Sequence, residues 1–145
     1  MKVGTRWKLA VMLSVTFAAT SARAESWREF KRSDQLVGAL NVGDARRTGS
    51  VVEVAMLLVP KAQPLAPVLV YTIIDIRADC TARTAHVLGS QNFAGAVPAG
   101  ERTRADAAPK QSGGNGLDPL CNLSDLQSSS APTALDFARS AWTQQ

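Results

Sequence analysis

Val68-Leu-Val-Tyr-Thr-Ile-Ile-Asp-Ile-Arg-Ala-Asp-Cys80 is the strongest strand signal in the chain, and it ends on one of the two cysteines. Successive side chains of a strand point to opposite faces of its sheet. The even-numbered positions are mostly apolar and predict a face turned toward a core. The odd-numbered positions begin apolar and end on Asp75, Arg77 and Asp79, which predicts a far end that faces water.

A second strand signal lies just upstream. Val51–Pro60 is apolar on both faces apart from Glu53, which is typical of a strand near the centre of a sheet. Residues 61–67 carry two prolines, which cannot donate hydrogen bonds to a sheet. Two long strands joined by this connection predict an antiparallel hairpin.

The flanking segments carry weaker patterns. Residues 27–30 predict a first strand. A short helix is expected to begin at Ser33, with Ser33 as its N-cap. Residues 41–44 and 47–50 have the composition of turns. Residues 81–93 predict one more strand.

Residues 94–120 lose every strong pattern, and their prolines and glycines predict a long, mobile loop. In residues 131–143, Leu135, Ala138 and Trp142 recur at helical spacing. This periodicity predicts an amphipathic C-terminal helix packed on the sheet. The predicted fold class is therefore α+β, a small antiparallel β-sheet with that helix and one disulfide.

The N-terminus has the form of a secretory signal peptide. Residues 1–24 combine a basic start, an apolar run and the small residues Ala22 and Ala24, so we expect cleavage before Glu25. The apolar run is shorter than the roughly 20 residues that span a bilayer. No cysteine follows it, so no lipid anchor is indicated. We expect an exported protein, either periplasmic or secreted to the cell surface.

Cleavage also changes the charge of the protein. The chain has 16 basic and 12 acidic residues, and four of the basic ones lie in residues 1–24. The mature chain of 145 − 24 = 121 residues, one domain in size, therefore carries 12 of each sign. This balance argues against nucleic-acid binding, which needs excess positive charge. Arg46-Arg47 and Arg102-x-Arg104 are interpreted as ordinary surface clusters.

Cys80 and Cys121 are the only cysteines of the chain, and we expect them to form a disulfide. Export places them in an oxidising compartment. Closing a loop of roughly 42 residues stabilises a fold by about 4 kcal/mol in the chain-entropy model. A redox or metal-binding role is the alternative, but there is no Cys-x-x-Cys motif.

No catalytic, cofactor or metal site is predicted. His86 is the only histidine, and the chain contains no Gly-x-Ser-x-Gly motif and no phosphate-binding loop. Asp75 and Asp79 lie about 13 Å apart on one strand face, which is wide for a pair of catalytic carboxylates. We therefore expect a protein that is not an enzyme. A hydrolase that uses His86 with a nearby aspartate is the less favoured alternative.

Several of these features together resemble the surface-adhesin protein E family. The resemblance rests on Trp27, on Arg46-Arg-Thr-Gly49, on Asp79-Cys80, on Phe93-Ala-Gly95, and on Pro109-Lys-Gln-Ser112 followed by Leu120-Cys121. It implies a small antiparallel sheet with a helix tied to it by the disulfide. It also implies a surface or periplasmic binding module of a Gram-negative bacterium, with host extracellular proteins as ligands. The expected partners are host extracellular-matrix or envelope proteins.

The expected function is an exported, non-enzymatic binding or envelope-associated module. Its expected contact surfaces are residues 94–120 and any open sheet edge, because loops and edges on a rigid scaffold often carry recognition. A small periplasmic inhibitor or immunity-type protein is the main alternative. The sequence names neither the ligand nor the oligomeric state.

Overall fold

The computed structural model describes residues 24–104, 110–111, 115–126 and 130–143. The predicted signal peptide lies outside this part of the chain except for Ala24. No helix among the described residues is long and apolar enough to cross a membrane.

The described residues form one antiparallel sheet with a few short helices. The strands are β1 (Trp27–Arg32), β2 (Leu36–Asn41), β3 (Arg46–Thr48), β4 (Val51–Pro60), β5 (Val70–Asp79), β6 (Thr84–Ala94), β7 (Val97–Arg104), β8 (Lys110–Gln111) and β9 (Ser130–Ala131). Within the described residues seven strands follow the order β7-β6-β5-β4-β2-β1-β9, while β3 pairs with β4 and β8 with β6. The helices are α1 (Asp118–Cys121) and α2 (Ala134–Ser140), with 3₁₀ turns at Asn115–Leu117 and Leu123–Asp125.

The predicted hairpin of β4 and β5 is confirmed at the centre of this sheet. The two strands pair without interruption from Val51 opposite Asp79 to Leu58 opposite Thr72. Strand β5 begins at Val70 and not at Val68, which is 44% exposed. Val68 belongs to the preceding turn instead, because its backbone N–H donates to the Leu65 carbonyl oxygen at 2.8 Å.

The two faces of β5 bury different clusters, which we name after one member each. The Ile76 face joins Leu40, Val52, Val54, Ile76 and Ala78 to Leu117 and Leu120 from the segment around α1. The disulfide between Cys80 and Cys121, with Cα atoms 5.7 Å apart, connects the end of β5 to the last residue of α1. The predicted disulfide is thus confirmed, and both cysteines contact the Ile76 cluster.

The Tyr71 face carries the second cluster. Its buried sheet residues are Trp27, Val37, Ala39, Leu57, Val59 and Tyr71, and the same cluster includes Ala134, Phe137, Ala138 and Ala141 of the C-terminal segment. Glu25 links these parts, since its Oε2 accepts hydrogen bonds from the Trp27 indole at 2.8 Å and the Ala134 backbone at 3.2 Å. One carboxylate therefore connects the start of β1 to the start of α2.

The helix expected at Ser33 is wrong. Ser33 instead closes the turn between β1 and β2, because its hydroxyl accepts from the Leu36 backbone N–H at 3.1 Å. Val37 and Ala39 face the Tyr71 cluster while Leu40 is buried in the Ile76 cluster. This alternation has the period of a strand that is buried on both sides.

The expectation of an unpatterned segment at 94–120 also needs correction. This segment contains β7, β8, a 3₁₀ turn and most of α1, and Leu117 and Leu120 are buried. Gly95, with φ of 60°, begins the two-residue turn that joins β6 to β7. Strand β7 lacks an apolar pattern because nearly all of its side chains are exposed. The predicted mobility of this segment stays a prediction.

The C-terminal helix is shorter than expected. It covers Ala134–Ser140 and not residues 131–143, and Thr133 caps it by accepting from the Asp136 backbone N–H at 3.1 Å. Pro132 lies before this N-cap residue and is therefore outside the helix. Ala131, the first residue of the predicted helix, is instead a strand residue, because it belongs to β9 and pairs with β1.

We expect the phenol of Tyr71 to ionise above its ordinary pKa. Tyr71 is 3% exposed and stacks on Phe93, with ring centroids 5.2 Å apart. Burial raises the pKa of Tyr71 most, the negative charge of Glu25 raises it further, and Arg139 lowers it. Because Tyr71 is the only tyrosine, ultraviolet titration of tyrosinate reports on this group alone.

The folded protein should therefore titrate at a higher pH than the same protein in guanidinium chloride, where the pKa returns to about 10. Because the pKa of Tyr71 is higher in the folded than in the unfolded protein, the neutral phenol stabilises the fold fully at any pH below the unfolded-state pKa. That stability is lost as the pH rises through the folded pKa. Identical titration curves in the two solvents would contradict the burial of Tyr71.

Candidate ligand-binding groove

One end of the Tyr71 face lies beyond the buried Tyr71 cluster, and this end carries charged residues. Beyond Ile73, strand β5 presents Asp75 and Arg77 on this face, because alternate residues share a side. Strand β4 presents Glu53 directly opposite Arg77, and β3 presents Arg46 opposite Glu53. The predicted solvated end of β5 is confirmed, since the side chain of Arg77 is 51% exposed.

Strand β7 adds two more arginines to this end of the sheet. Arg104 lies opposite Gly89 of β6, which itself lies opposite Asp75 of β5. A Cβ atom at residue 89 would stand 2.8 Å from the Thr103 carbonyl oxygen, so glycine lets β7 approach closely here. Arg102 lies two residues before Arg104 and forms an ion pair with Asp75.

Apart from Arg77, these charged residues line an open groove of about 450 Å³, which we call the arginine groove. Its lining residues include Asp44, Arg46, Glu53, Ala55, Asp75, Leu88, Arg102 and Arg104. A second open pocket of about 500 Å³, lined by Arg46, Thr48, Val51, Glu53 and Arg77, shares Arg46 and Glu53 with it. The two pockets therefore form one continuous surface across β3, β4 and β5.

Two of the four arginines at this surface are already paired. Arg77 donates to Glu53, with Nε 2.7 Å from Oε1, and Arg102 binds Asp75. Among the described residues, Arg46 and Arg104 form neither an ion pair nor a side-chain hydrogen bond. The groove therefore offers two guanidinium groups, on different strands, whose hydrogen-bonding capacity is open to a ligand.

His86 lies at the edge of the same surface. It is half-buried and sits opposite Arg77 in the pairing of β5 with β6. In the part of the chain that the structure describes, His86 has no hydrogen bond to a carboxylate. A histidine that acts as a general base is usually oriented by such a partner. The described residues also contain no group of three or more His, Cys, Asp or Glu side chains that could hold a metal ion.

The other sequence-predicted residues lie away from the groove or at its margin. Cys80 and Cys121 lie with the opposite, Ile76 face. Asp79 ends β5 and closes the following turn, because its Oδ1 accepts from the backbone N–H groups of Thr81 and Ala82 at 2.9 and 3.0 Å. These hydrogen bonds, with one from Ser50, lower the pKa of Asp79, and that from Ala82 contributes most.

Sequence reasoning missed the groove although it named all of the groove's arginines, because it interpreted their two clusters as ordinary surface. Arg46 and Arg104 are 58 positions apart, and only the pairing of β3 with β4 and of β7 with β6 brings them together. The spacing of Arg102-x-Arg104 was the available signal, since residues two apart share one face of a strand. Comparisons with protein-family models, with curated proteins and with solved structures find no match to this chain.

Proposed function

We propose that this protein is an exported, non-enzymatic binding module that contacts its partner through the arginine groove. The observation that carries the proposal is the pair of open guanidinium groups, Arg46 and Arg104, in one groove of about 450 Å³. Arginine combines five hydrogen-bond donors with a fixed charge. Two arginines without partners among the described residues are therefore more typical of a binding site than of a structural role. The partners proposed are host extracellular-matrix or envelope proteins, and the resemblance to the surface-adhesin protein E family favours host extracellular proteins.

The proposal includes a rigid scaffold in which α2 packs on the Tyr71 face. Phe137, Ala138 and Ala141 are buried in the same cluster as Tyr71 and Trp27, which supports this arrangement. A seven-residue helix is unstable alone and needs such packing. The scaffold then holds the uncovered end of the face in a fixed shape, and binding sites on fixed elements are more precise than sites on loops.

The expected contact segment at 94–120 enters this proposal through β7. Arg102 and Arg104 lie on that strand, and β7 ends the strand order of the sheet. Deleting the segment would remove a sheet strand and the buried Leu117 and Leu120 as well. Point substitutions in the groove are therefore the sharper test.

A pull-down experiment tests this function. Oxidised protein comprising residues 25–145 is used to capture partners from envelope extract and from purified extracellular-matrix proteins. The Arg46→Gln/Arg104→Gln variant loses two groove charges, and Arg139→Gln, on the exposed side of α2, is the matched control. We expect wild type and control to retain a partner that the double variant loses. Absence of any specific partner would contradict the binding function, and equal capture by all three proteins would exclude the groove.

A further inference from the structure

The charges of the arginine groove and of the pocket that adjoins it alternate in sign, and this alternation restricts the ligand. Arg46, Glu53 and Arg77 follow one another across β3, β4 and β5, and Asp75 lies between that row and Arg104. Counting both pockets, four arginines face the three carboxylates of Asp44, Glu53 and Asp75. The surface is therefore close to neutral as a whole, with its uncommitted positive charge at two separate points.

A continuous polyanion fits this pattern poorly. Its evenly spaced charges would lie over Glu53 and Asp75 as well as over the arginines, and like charges brought close together are unfavourable. A ligand with two separate anionic groups joined by neutral atoms avoids this repulsion. Planar carboxylates also match the paired donors of a guanidinium group.

The distance between the two arginines fits an extended chain better than a small dianion. Strands in a sheet lie about 4.8 Å apart, so the four spacings from β3 to β7 separate their backbones by about 19 Å along the sheet, and the side chains then reach into the groove. Two residues four positions apart in an extended peptide are separated by about 13 Å. Such a peptide places one acidic side chain at each arginine and crosses the ion pairs with neutral backbone.

We propose that the arginine groove binds an extended acidic peptide segment of a partner protein, with one carboxylate on Arg46 and a second on Arg104. The inference rests on the proposed function and specifies the chemistry of the partner. Exposed, charge-assisted contacts of this kind weaken with added salt, because ions screen charges that are accessible to water. Because Arg46 and Arg104 lie at two separate points, the groove selects the spacing of the acidic residues as well as their charge.

Isothermal titration calorimetry tests the inference with oxidised protein comprising residues 25–145. The probe is a synthetic peptide of glycine and serine that contains two glutamates four positions apart, and its control contains glutamines instead. We expect the glutamate peptide to bind about tenfold or more tightly than the glutamine peptide, and added salt to reduce this difference. Each of Arg46→Gln and Arg104→Gln should weaken binding by about five- to tenfold, as the loss of one charge-assisted contact predicts. Arg139→Gln should leave the affinity unchanged.

Two further probes separate this ligand from other anions. A heparin fragment represents a continuous polyanion, and succinate represents a small dicarboxylate. Tighter binding of either at Arg46 and Arg104 would overturn the peptide inference, as would equal binding of the glutamate and glutamine peptides. Partner capture that depends on the groove, without binding of the glutamate peptide, would overturn this inference and leave the proposed function intact. Circular dichroism of each variant confirms that the fold is retained.

Discussion

Replacing both Cys80 and Cys121 by serine should lower the free energy of unfolding by about 4 kcal/mol. The bond closes a segment with a sequence separation of 41 residues, and the chain-entropy model gives this magnitude for such a loop. Typical domains are stable by about 5 to 15 kcal/mol, so the loss removes a large part of the total. The disulfide also holds α1, a single turn that buries Leu120 against the Ile76 face.

Chemical denaturation of the two single variants and the double variant measures this loss. Because one bond joins the two residues, each single variant should be destabilised about as much as the double variant. Reduction of the wild-type protein should give a similar shift. Losses that add up between the two single variants would contradict a shared bond.

Phe137→Ala should destabilise the protein by about 3 to 5 kcal/mol, the usual cost of removing a buried phenylalanine ring. The residue is 6% exposed and belongs to the cluster that contains Tyr71 and Leu57. The ring lies on α2, so under the proposed scaffold its removal should weaken the packing that so short a helix needs.

Arg139→Ala on the same helix is the matched control for Phe137→Ala. Its side chain is 67% exposed, and surface substitutions of this kind usually change stability by less than about 0.5 kcal/mol. The two variants are compared by their urea midpoints and slopes. If Phe137→Ala unfolds like wild type, α2 does not pack on the sheet, and its apolar side is free for a partner.

The sequence was sufficient to predict the centre of the fold. Val51–Pro60 and the strand that precedes Cys80 are long and strongly apolar, and this pattern predicts both that they are strands and that they lie at the centre of the sheet. The disulfide followed from having two cysteines in a chain whose first 24 residues predict export. These features depend on composition and local periodicity, which a single sequence displays.

The edges of the sheet were harder to predict for a physical reason. Strand β7 has exposed side chains on both sides, so it lacks the alternation that identifies a half-buried strand. Residues around Leu117 and Leu120 have no strand or helix pattern and are fixed by burial and by the disulfide at Cys121. Ser33 has the chemistry of both a helix cap and a turn, and tertiary pairing of Val37 with Val59 decides for the turn.

The candidate groove depends on the same long-range pairing. No local pattern relates Arg46 to Arg104, because their proximity follows from the register of β3 with β4 and of β6 with β7. That neither arginine forms an ion pair or a side-chain hydrogen bond with another described residue is also a property of the folded protein. Arg77 and Arg102 carry the same side chain but are neutralised by Glu53 and Asp75.

Nuclear magnetic resonance mapping of the glutamate peptide tests the central claim most directly, because it locates the contact surface. Backbone amide and arginine Nε–H signals are followed while the peptide is added to oxidised, isotope-labelled protein comprising residues 25–145. We predict that the perturbed signals cluster at Arg46 on β3, at Arg102 and Arg104 on β7, and at the β5 residues between them. Perturbations confined to α2 or to the Ile76 face, or an unchanged spectrum, would contradict recognition through the arginine groove.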